Sequence, residues 1–375
     1  SSTDHYFREK TNFTTELRAL SNAGEEIFNG STAWIAGIYF KQDSEDLTRK
    51  YTYNATDFTS ENSNNHIAIF GQLDSQLSDK LTLVSGLRVE QRKADYTNSD
   101  SFTESQKDTM FGGKLVLSYQ TTTDNLWYGS INRGYKAGGN NTVGTLPDEL
   151  RSFEPEYLMN YEVGYKVSLL DNDAYVRAAV FYMDRTDMQV KSSITDVRED
   201  GSTLFISYLG NASDGSNTGV EIESAWQVNA LVNIYGTLGL LDSDFNGFIN
   251  SYGESLDGRD QAHAPNYQFN VGLNLQPTDQ LLINISMNGK DEFYFSDSHD
   301  EKSESVALLN ASVSYLADNW QVKLWARNLT NEDYATRGFY FRNKEGVPGG
   351  NDPRDGYAAK QYTQLSEPLV FGATL

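Results

Sequence analysis

The chain has no cysteine among its 375 residues, which removes disulfide frameworks and thiolate metal sites at the outset. Only four histidines are present, His5, His66, His263 and His299, and none stands in an HExxH or paired-ligand spacing, so no zinc site is expected. Cations are scarce as well. Thirty Lys and Arg against 52 Asp and Glu leave a net charge of -22, which argues against nucleic acid as a partner, since phosphate binding needs clustered Lys and Arg. No uninterrupted apolar run approaches the roughly 18–20 residues of a spanning helix. That absence excludes helical membrane proteins alone, because a barrel strand hides its hydrophobicity in alternation. The opening Ser1-Ser2-Thr3-Asp4 is polar and has no apolar signal-peptide core. Length would suit two or three soluble domains of about 100–200 residues, yet nothing like a linker divides the chain.

What fills the sequence is alternation. Tyr267, Phe269, Val271, Leu273 and Leu275 take every second place, with Gln268, Asn270, Gly272, Asn274 and Gln276 between them. After a turn at 277–280 the pattern resumes with Leu281, Ile283, Ile285 and Met287 on one face and Asn284, Ser286 and Asn288 on the other. Successive strand side chains point to opposite faces, so each segment has an apolar wall and a wet wall. A soluble sheet could do the same, and the connections decide. Short ones at 77–80, 121–125, 170–173, 228–230, 277–280 and 317–319 alternate with long polar stretches at 43–65, 95–108, 138–158, 187–218, 242–265, 290–305 and 333–361. Tight turns at one end and long loops at the other are the pattern of an antiparallel transmembrane β-barrel, with turns toward the periplasm. Solenoids and propellers would repeat their loop lengths, and this chain does not.

About fifteen strands are expected, each near the roughly 9–11 residues needed to span at a tilt. Their cores are 12–20, 33–42, 66–76, 81–93, 109–120, 126–136, 160–169, 174–186, 219–227, 231–241, 267–276, 281–289, 307–316, 320–328 and 366–375. Tyr119, Trp127, Trp226, Tyr315 and Trp320 gather beside the tight turns on the apolar parity, as an interfacial girdle requires. Val271, Leu273, Ile283, Ile285, Val313 and Leu324 should meet lipid. Asn270, Asn274, Asn284, Ser286, Ser312 and Lys323 should meet the lumen.

Several stretches resemble the TonB-dependent outer-membrane receptors: WQVKLWARNLTNEDY at 320–334, RGYKAGG at 133–139, FEPE at 153–156 leading into YEVGYK at 161–166, GVEIE at 219–223, Ala264-Pro265, and FTTELRALS at 13–21. The resemblance covers nearly the whole chain. It implies a barrel of about twenty-two strands around an N-terminal plug. An odd count with both outer strands running toward the periplasm cannot close by antiparallel pairing. Residues 1–375 are therefore expected to form a single partial barrel domain, the C-terminal part, beginning at the family's eighth strand. Plug, energy-coupling box and about seven strands would lie outside it, and a terminal aromatic beyond Leu375. By the same resemblance the protein would sit in the outer membrane of a Gram-negative bacterium, in contact with its lipid. It would import a scarce ligand, most readily a ferric siderophore, driven by the TonB energy-transducing complex, with no cofactor and no catalyst. Cobalamin, haem and oligosaccharide receptors share the family. A passive porin is the rival class, and an outer-membrane enzyme the third.

Aromatics and cations in the long loops suit an anionic, ring-bearing ligand: Tyr135, Lys136 and Asn140 at one loop base, Phe293 and Tyr294 at another, and Arg337, Tyr340 and Arg342 in a third. An upper aromatic girdle and packing between loops would use the same residues, and the sequence leaves the two readings open. Two further patterns carry weaker chemistry. Asp242 to Gly247 opens like a calcium loop, but Gly253 stands where its bidentate Glu belongs, so a polar turn is favoured. Asp291, Glu292, Asp297, Asp300 and Glu301 with His299 could hold a divalent ion, and a solvated acidic loop is the favoured reading. His66, near Ser63 and Asn65, is the one histidine a hydrolase could use, and no motif supports it.

Overall fold

In the computed structural model, all residues are described except 1, 2, 54, 144, 145, 198–202, 250–254, 298, 299 and 342–359, with backbone alone at a few further strand positions. The strands are β1 (Asp4–Leu20), β2 (Thr32–Tyr51), β3 (Phe58–Ser78), β4 (Leu81–Asn98), β5 (Thr103–Thr122), β6 (Asn125–Lys136), β7 (Gly139–Asn140), β8 (Ser152–Phe153), β9 (Glu156–Leu169) and β10 (Ala174–Val197). They continue as β11 (Thr203–Asn229), β12 (Val232–Asn246), β13 (Tyr267–Thr278), β14 (Leu281–Lys290), β15 (Val306–Leu316), β16 (Gln321–Arg327), β17 (Ala335–Phe341), β18 (Lys360–Leu365) and β19 (Val370–Thr374). One antiparallel sheet of fifteen strands runs β1 to β6, β9 to β16, then β19, and each expected strand core overlaps one of them, the last, 366–375, over only the five residues of β19. The short pairs β7–β8 and β17–β18 stand apart from it. Among the described residues β1 pairs only with β2 and β19 only with β16, so the described sheet is open, with a free edge at each side.

Tight turns at 79–80, 123–124, 170–173, 230–231, 279–280 and 317–320 all fall at one end, as expected. Three residues in succession at one of them, Leu170, Asp171 and Asn172, take the left-handed backbone that closes a narrow turn. At the other end the expected loops at 43–65, 95–108 and 187–218 are mostly strand. β2 and β3 pair from Thr32↔Ser75 up to Arg49↔Phe58, and β10 and β11 pair up to Val197↔Thr203. The sequence reading missed these extensions because it looked for an apolar wall. Above the bilayer the β2–β3 ladder is mostly Thr, Ser, Asn, Asp and Glu with no apolar parity to reveal it, and the apolar residues of upper β10 and β11, Met188, Val190 and Ile206, are buried within the crown rather than set on a lipid wall.

Within the band the two walls are as expected. Leu17, Ile38, Ile69, Val89 and Phe111 are successive register partners on five strands, and all are exposed to the surroundings. Leu275, Ile283, Val313 and Leu324 form a similar row further along. In water these rows would be a liability, and against acyl chains they are the favourable surface. The opposite wall is tied by amides. Asn284 Nδ2 donates to Asn274 Oδ1 at 2.8 Å, and Asn274 Nδ2 to Asn233 Oδ1 at 3.2 Å. Gly272 lies beneath the Tyr235 ring, where an added Cβ would fall 2.1 Å from the ring carbon Cζ, and Asn284 donates to the Tyr235 hydroxyl at 3.1 Å. Such aromatic cover of a paired glycine stiffens a strand that would otherwise have nothing to pack. The girdle aromatics Tyr119, Trp127, Trp226, Tyr315 and Trp320 all project outward, with Tyr315 and Trp320 in ring contact at 5.6 Å.

Candidate functional site: the crown and the upper lumen

Buried apolar side chains are few and lie mostly above the band. Met188, Val190, Phe245, Phe248 and Leu256 form one cluster, joining the β10–β11 hairpin to segment 247–266. Segment 137–155, which carries β7 and β8, is fastened from several sides. Arg92 donates to the Gly138 carbonyl (2.6 Å), Gln106 to that of Phe153 (2.7 Å) and Gln189 to that of Ala137 (2.8 Å). Asn141 exchanges hydrogen bonds with the Leu209 backbone in both directions. Glu156, almost fully buried, receives Arg185, which also donates to Gln261 at 3.1 Å. These are distant segments joined through their backbone carbonyls, so the crown is a folded cap rather than a set of independent loops.

Segment 291–305 folds on the neighbouring one. Ala262 N–H donates to Asp297 at 3.0 Å, and His263 N–H to the Tyr294 carbonyl at 2.9 Å. Burial pushes the Asp297 carboxyl up, opposed by the Ala262 N–H and by the Arg259 and His263 charges. The acidic residues here already have protein partners. Glu292 pairs with Lys302 at 2.9 Å, and Asp300 with Arg259 at 3.4 Å; His299 lies outside the described residues. Asp242 and Asp244 sit in β12, paired with Thr218 and Ser216, so the calcium-like stretch is extended strand rather than the turn expected of it. His66 Nδ1 meets Glu90 Oε1 at 2.8 Å on the lumen wall, while Ser63 and Asn65 belong to the opposite parity of β3. A Ser–His pair is not assembled there.

The residues expected to meet ligand are scattered in their roles. The Tyr135 hydroxyl lies 3.1 Å from Arg88 Nε and 2.9 Å from Glu90, part of the lumen wall. Lys136 is exposed opposite Glu156, and Asn140 has its Oδ1 buried with no hydrogen-bond partner among the described residues. Phe293 is buried against His263 and Phe295 at 5.2 and 5.7 Å, and Tyr294 carries Arg259 over its face at 3.9 Å. Both rings therefore serve packing between loops. Arg337 is exposed on the β17–β18 hairpin; the Tyr340 side chain and Arg342 lie outside the described residues.

Sequence reasoning passed over Lys290. It ends β14 on the lumen parity of Asn284, Ser286 and Asn288, a signal that was available. Its Nζ lies 4.4 Å from the Phe293 ring centre and 5.9 Å from that of Tyr334, and among the described residues no carboxylate pairs with it. Below it the lumen wall forms a recess of about 630 Å³, bordered by Lys290, Tyr334, Asn288, Gln268, Tyr128 and Arg177. A half-buried cation with aromatic neighbours, above a recess of mixed polar and apolar lining, is chemically suited to an anion that carries rings.

An outward apolar wall, an inward polar wall, tight turns at one end and a folded crown at the other define the wall of an outer-membrane barrel. The chain belongs to the TonB dependent receptor-like β-barrel family, whose model matches residues 1–329, and its place is the Gram-negative outer membrane. Among curated relatives, the pesticin receptors of Yersinia pestis and Yersinia enterocolitica are each 24% identical over 322 residues, covering 81% of this chain and 45% of theirs. The chain thus spans about half the length of the curated relatives it matches. In fold it is similar to the ferric yersiniabactin uptake receptor FyuA from Yersinia pestis, with a TM-score of 0.77 and 21% identity over 100% of this chain and 55% of that one. It is also similar to the siderophore receptor PiuA from Acinetobacter baumannii, with a TM-score of 0.72 and 14% identity over 97% of this chain and 55% of the other.

Proposed function

We propose that residues 1–375 form one partial barrel domain, the wall and crown of an active-transport receptor that captures an anionic iron chelate of the siderophore class. Transport would be energised by the TonB complex acting through a plug outside this chain. The observation that carries the reading is Lys290, a cation without a carboxylate partner among the described residues, set between Phe293 and Tyr334 over the recess. Siderophore receptors among the similar structures support it. Tyr135, Lys136, Asn140, Arg337, Tyr340 and Arg342 stay as proposed ligand contacts.

The test uses the full-length receptor and ferric yersiniabactin, read by quenching of intrinsic fluorescence. Lys290→Ala should weaken binding by roughly 1–3 kcal/mol, the usual cost of deleting a charged hydrogen bond. Affinity unchanged by Lys290→Ala removes the recess from the site. A steady open conductance in planar bilayers, with no chelate bound, would favour the porin reading instead.

A further inference from the structure

The outward wall carries a cation where lipid should meet apolar groups. Arg133 shares the parity of Trp127 and Ile131 on β6, both exposed, and is the register partner of Gly113. A Cβ added to Gly113 would touch the Leu87 side chain, which projects from the same wall. Trp127 marks the periplasmic girdle, six positions away. At about 3.3 Å per residue and a tilt of about 35–45°, Arg133 stands roughly 15 Å above it, inside a band about 25 Å tall. A guanidinium there must reach up to the headgroups and find an anion.

The reach is visible. The guanidinium carbon lies 3.7 Å from the Phe111 ring centre and 4.0 Å from that of Tyr157, and a terminal nitrogen donates to the Phe111 carbonyl. Two ring faces hold the charge without neutralising it. Among the described residues no carboxylate pairs with Arg133. Asp184, the acid in its row, lies two strands away, opposite Met159. Above the band, Lys93 and Lys107 stand directly opposite each other on the same outward face. Like charges facing across a ladder repel. Lys93 has Asp95 at 2.8 Å, and Lys107 has no carboxylate partner among the described residues. Three outward cations on β4, β5 and β6 thus have one acid among them.

We propose that this strip is a binding station for an anionic, phosphate-bearing lipid of the outer leaflet. Arg133 grips the phosphate from below, in the forked geometry that suits guanidinium and phosphate. Lys107 and Lys93 flank the headgroup from above, and the acyl chains lie along the Leu87, Leu115 and Ile131 wall. The strip is on the opposite face of the sheet from the proposed chelate recess and does not depend on it.

The full-length receptor, extracted in detergent and offered phosphatidylglycerol or phosphatidylcholine, tests this by native mass spectrometry of retained lipid. Wild type should prefer phosphatidylglycerol. Arg133→Gln should lose roughly fivefold of that preference, and Lys93→Gln with Lys107→Gln a comparable factor for each cation. Arg133→Lys should keep part of it. Absence of preference in the wild type overturns the proposal, as does full preference in Arg133→Gln. Equal losses in Arg133→Lys and Arg133→Gln also overturn it, since the residue would then serve only to space the two rings. Should Arg133→Gln fail to fold, as judged by heat-modifiable mobility, the double lysine variant decides: an unchanged preference overturns the proposal.

Discussion

Ile285 and Ser286 are neighbours in the chain and face different solvents. Ile285 lies midway along β14 on the outward parity, and Ser286 pairs with Gly272 under the Tyr235 ring. Arg at 285 should cost about 2–4 kcal/mol if that position is near the bilayer midplane, whereas Arg at 286 meets water and should cost far less. Guanidine unfolding in vesicles would show this, and equal losses at both positions would refute the two-walled assignment. Asp297 gives a second prediction, outside the membrane. Its folded carboxyl titrates above the unfolded value near 3.9, so the docked loop holds its proton at pH values where the unfolded chain has released it. Docking of segment 291–305 should therefore be strongest in acid and weaken as pH rises through that raised value. Asp297→Asn keeps an acceptor for the Ala262 N–H and should make docking indifferent to pH. Hydrogen exchange at the Ala262 amide, corrected for intrinsic rate, measures it, and a wild type with flat protection would contradict the assignment.

Among the elements, those with an apolar wall were legible and those without one were not. All fifteen wall strands could be placed because aliphatic and aromatic side chains recur at period two in most of them and tight turns separate the rest. The upper halves of β2 and β3 read as loops for the reason that polar ladders and polar loops share a composition, and those of β10 and β11 because their apolar residues, such as Met188 and Val190, pack against the crown instead of forming a lipid wall. The crown was beyond sequence reading for a different reason. Asn141 meets Leu209 and Glu156 meets Arg185 across long separations, and no local pattern encodes such pairs. Phe293 and Tyr294 were recognised as special, but whether a ring faces ligand or a neighbouring loop depends on what packs against it. One prediction belongs at this scale. Phe248 is buried in the small cluster with Met188, Val190, Phe245 and Leu256, which is separate from the wall. Phe248→Ala should cost about 3–5 kcal/mol, as in other cores, yet that loss falls on the crown alone. Proteolysis of segment 247–266 should accelerate while heat-modifiable barrel mobility persists, and loss of both together would mean that crown and wall fold as one unit.

For the whole molecule the open edges decide what the wall can do alone. Fifteen antiparallel strands leave β1 and β19 running the same way, and in this sheet each has one neighbour. Unpaired backbone N–H and C=O groups cost several kcal/mol each in hydrocarbon, where no water replaces the missing ladder. The apolar band cannot be inserted without bringing those edges with it. Either the edges meet in parallel, as in an odd-stranded channel, or further strands stand between them. The similar structures favour the second, since this chain covers only 55% of the length of FyuA. A polypeptide of these 375 residues, refolded into lipid vesicles, should therefore give no protease-resistant, heat-modifiable barrel. Co-expression with the strands that complete the wall should restore one, because pairing at β1 and β19 removes the penalty at both edges at once. If residues 1–375 alone form a resistant barrel, with a cross-link between the Leu17 and Phe371 positions, the sheet closes on itself. The lumen would then be an unplugged pore of fifteen strands, and the functional reading would pass from gated receptor to passive channel.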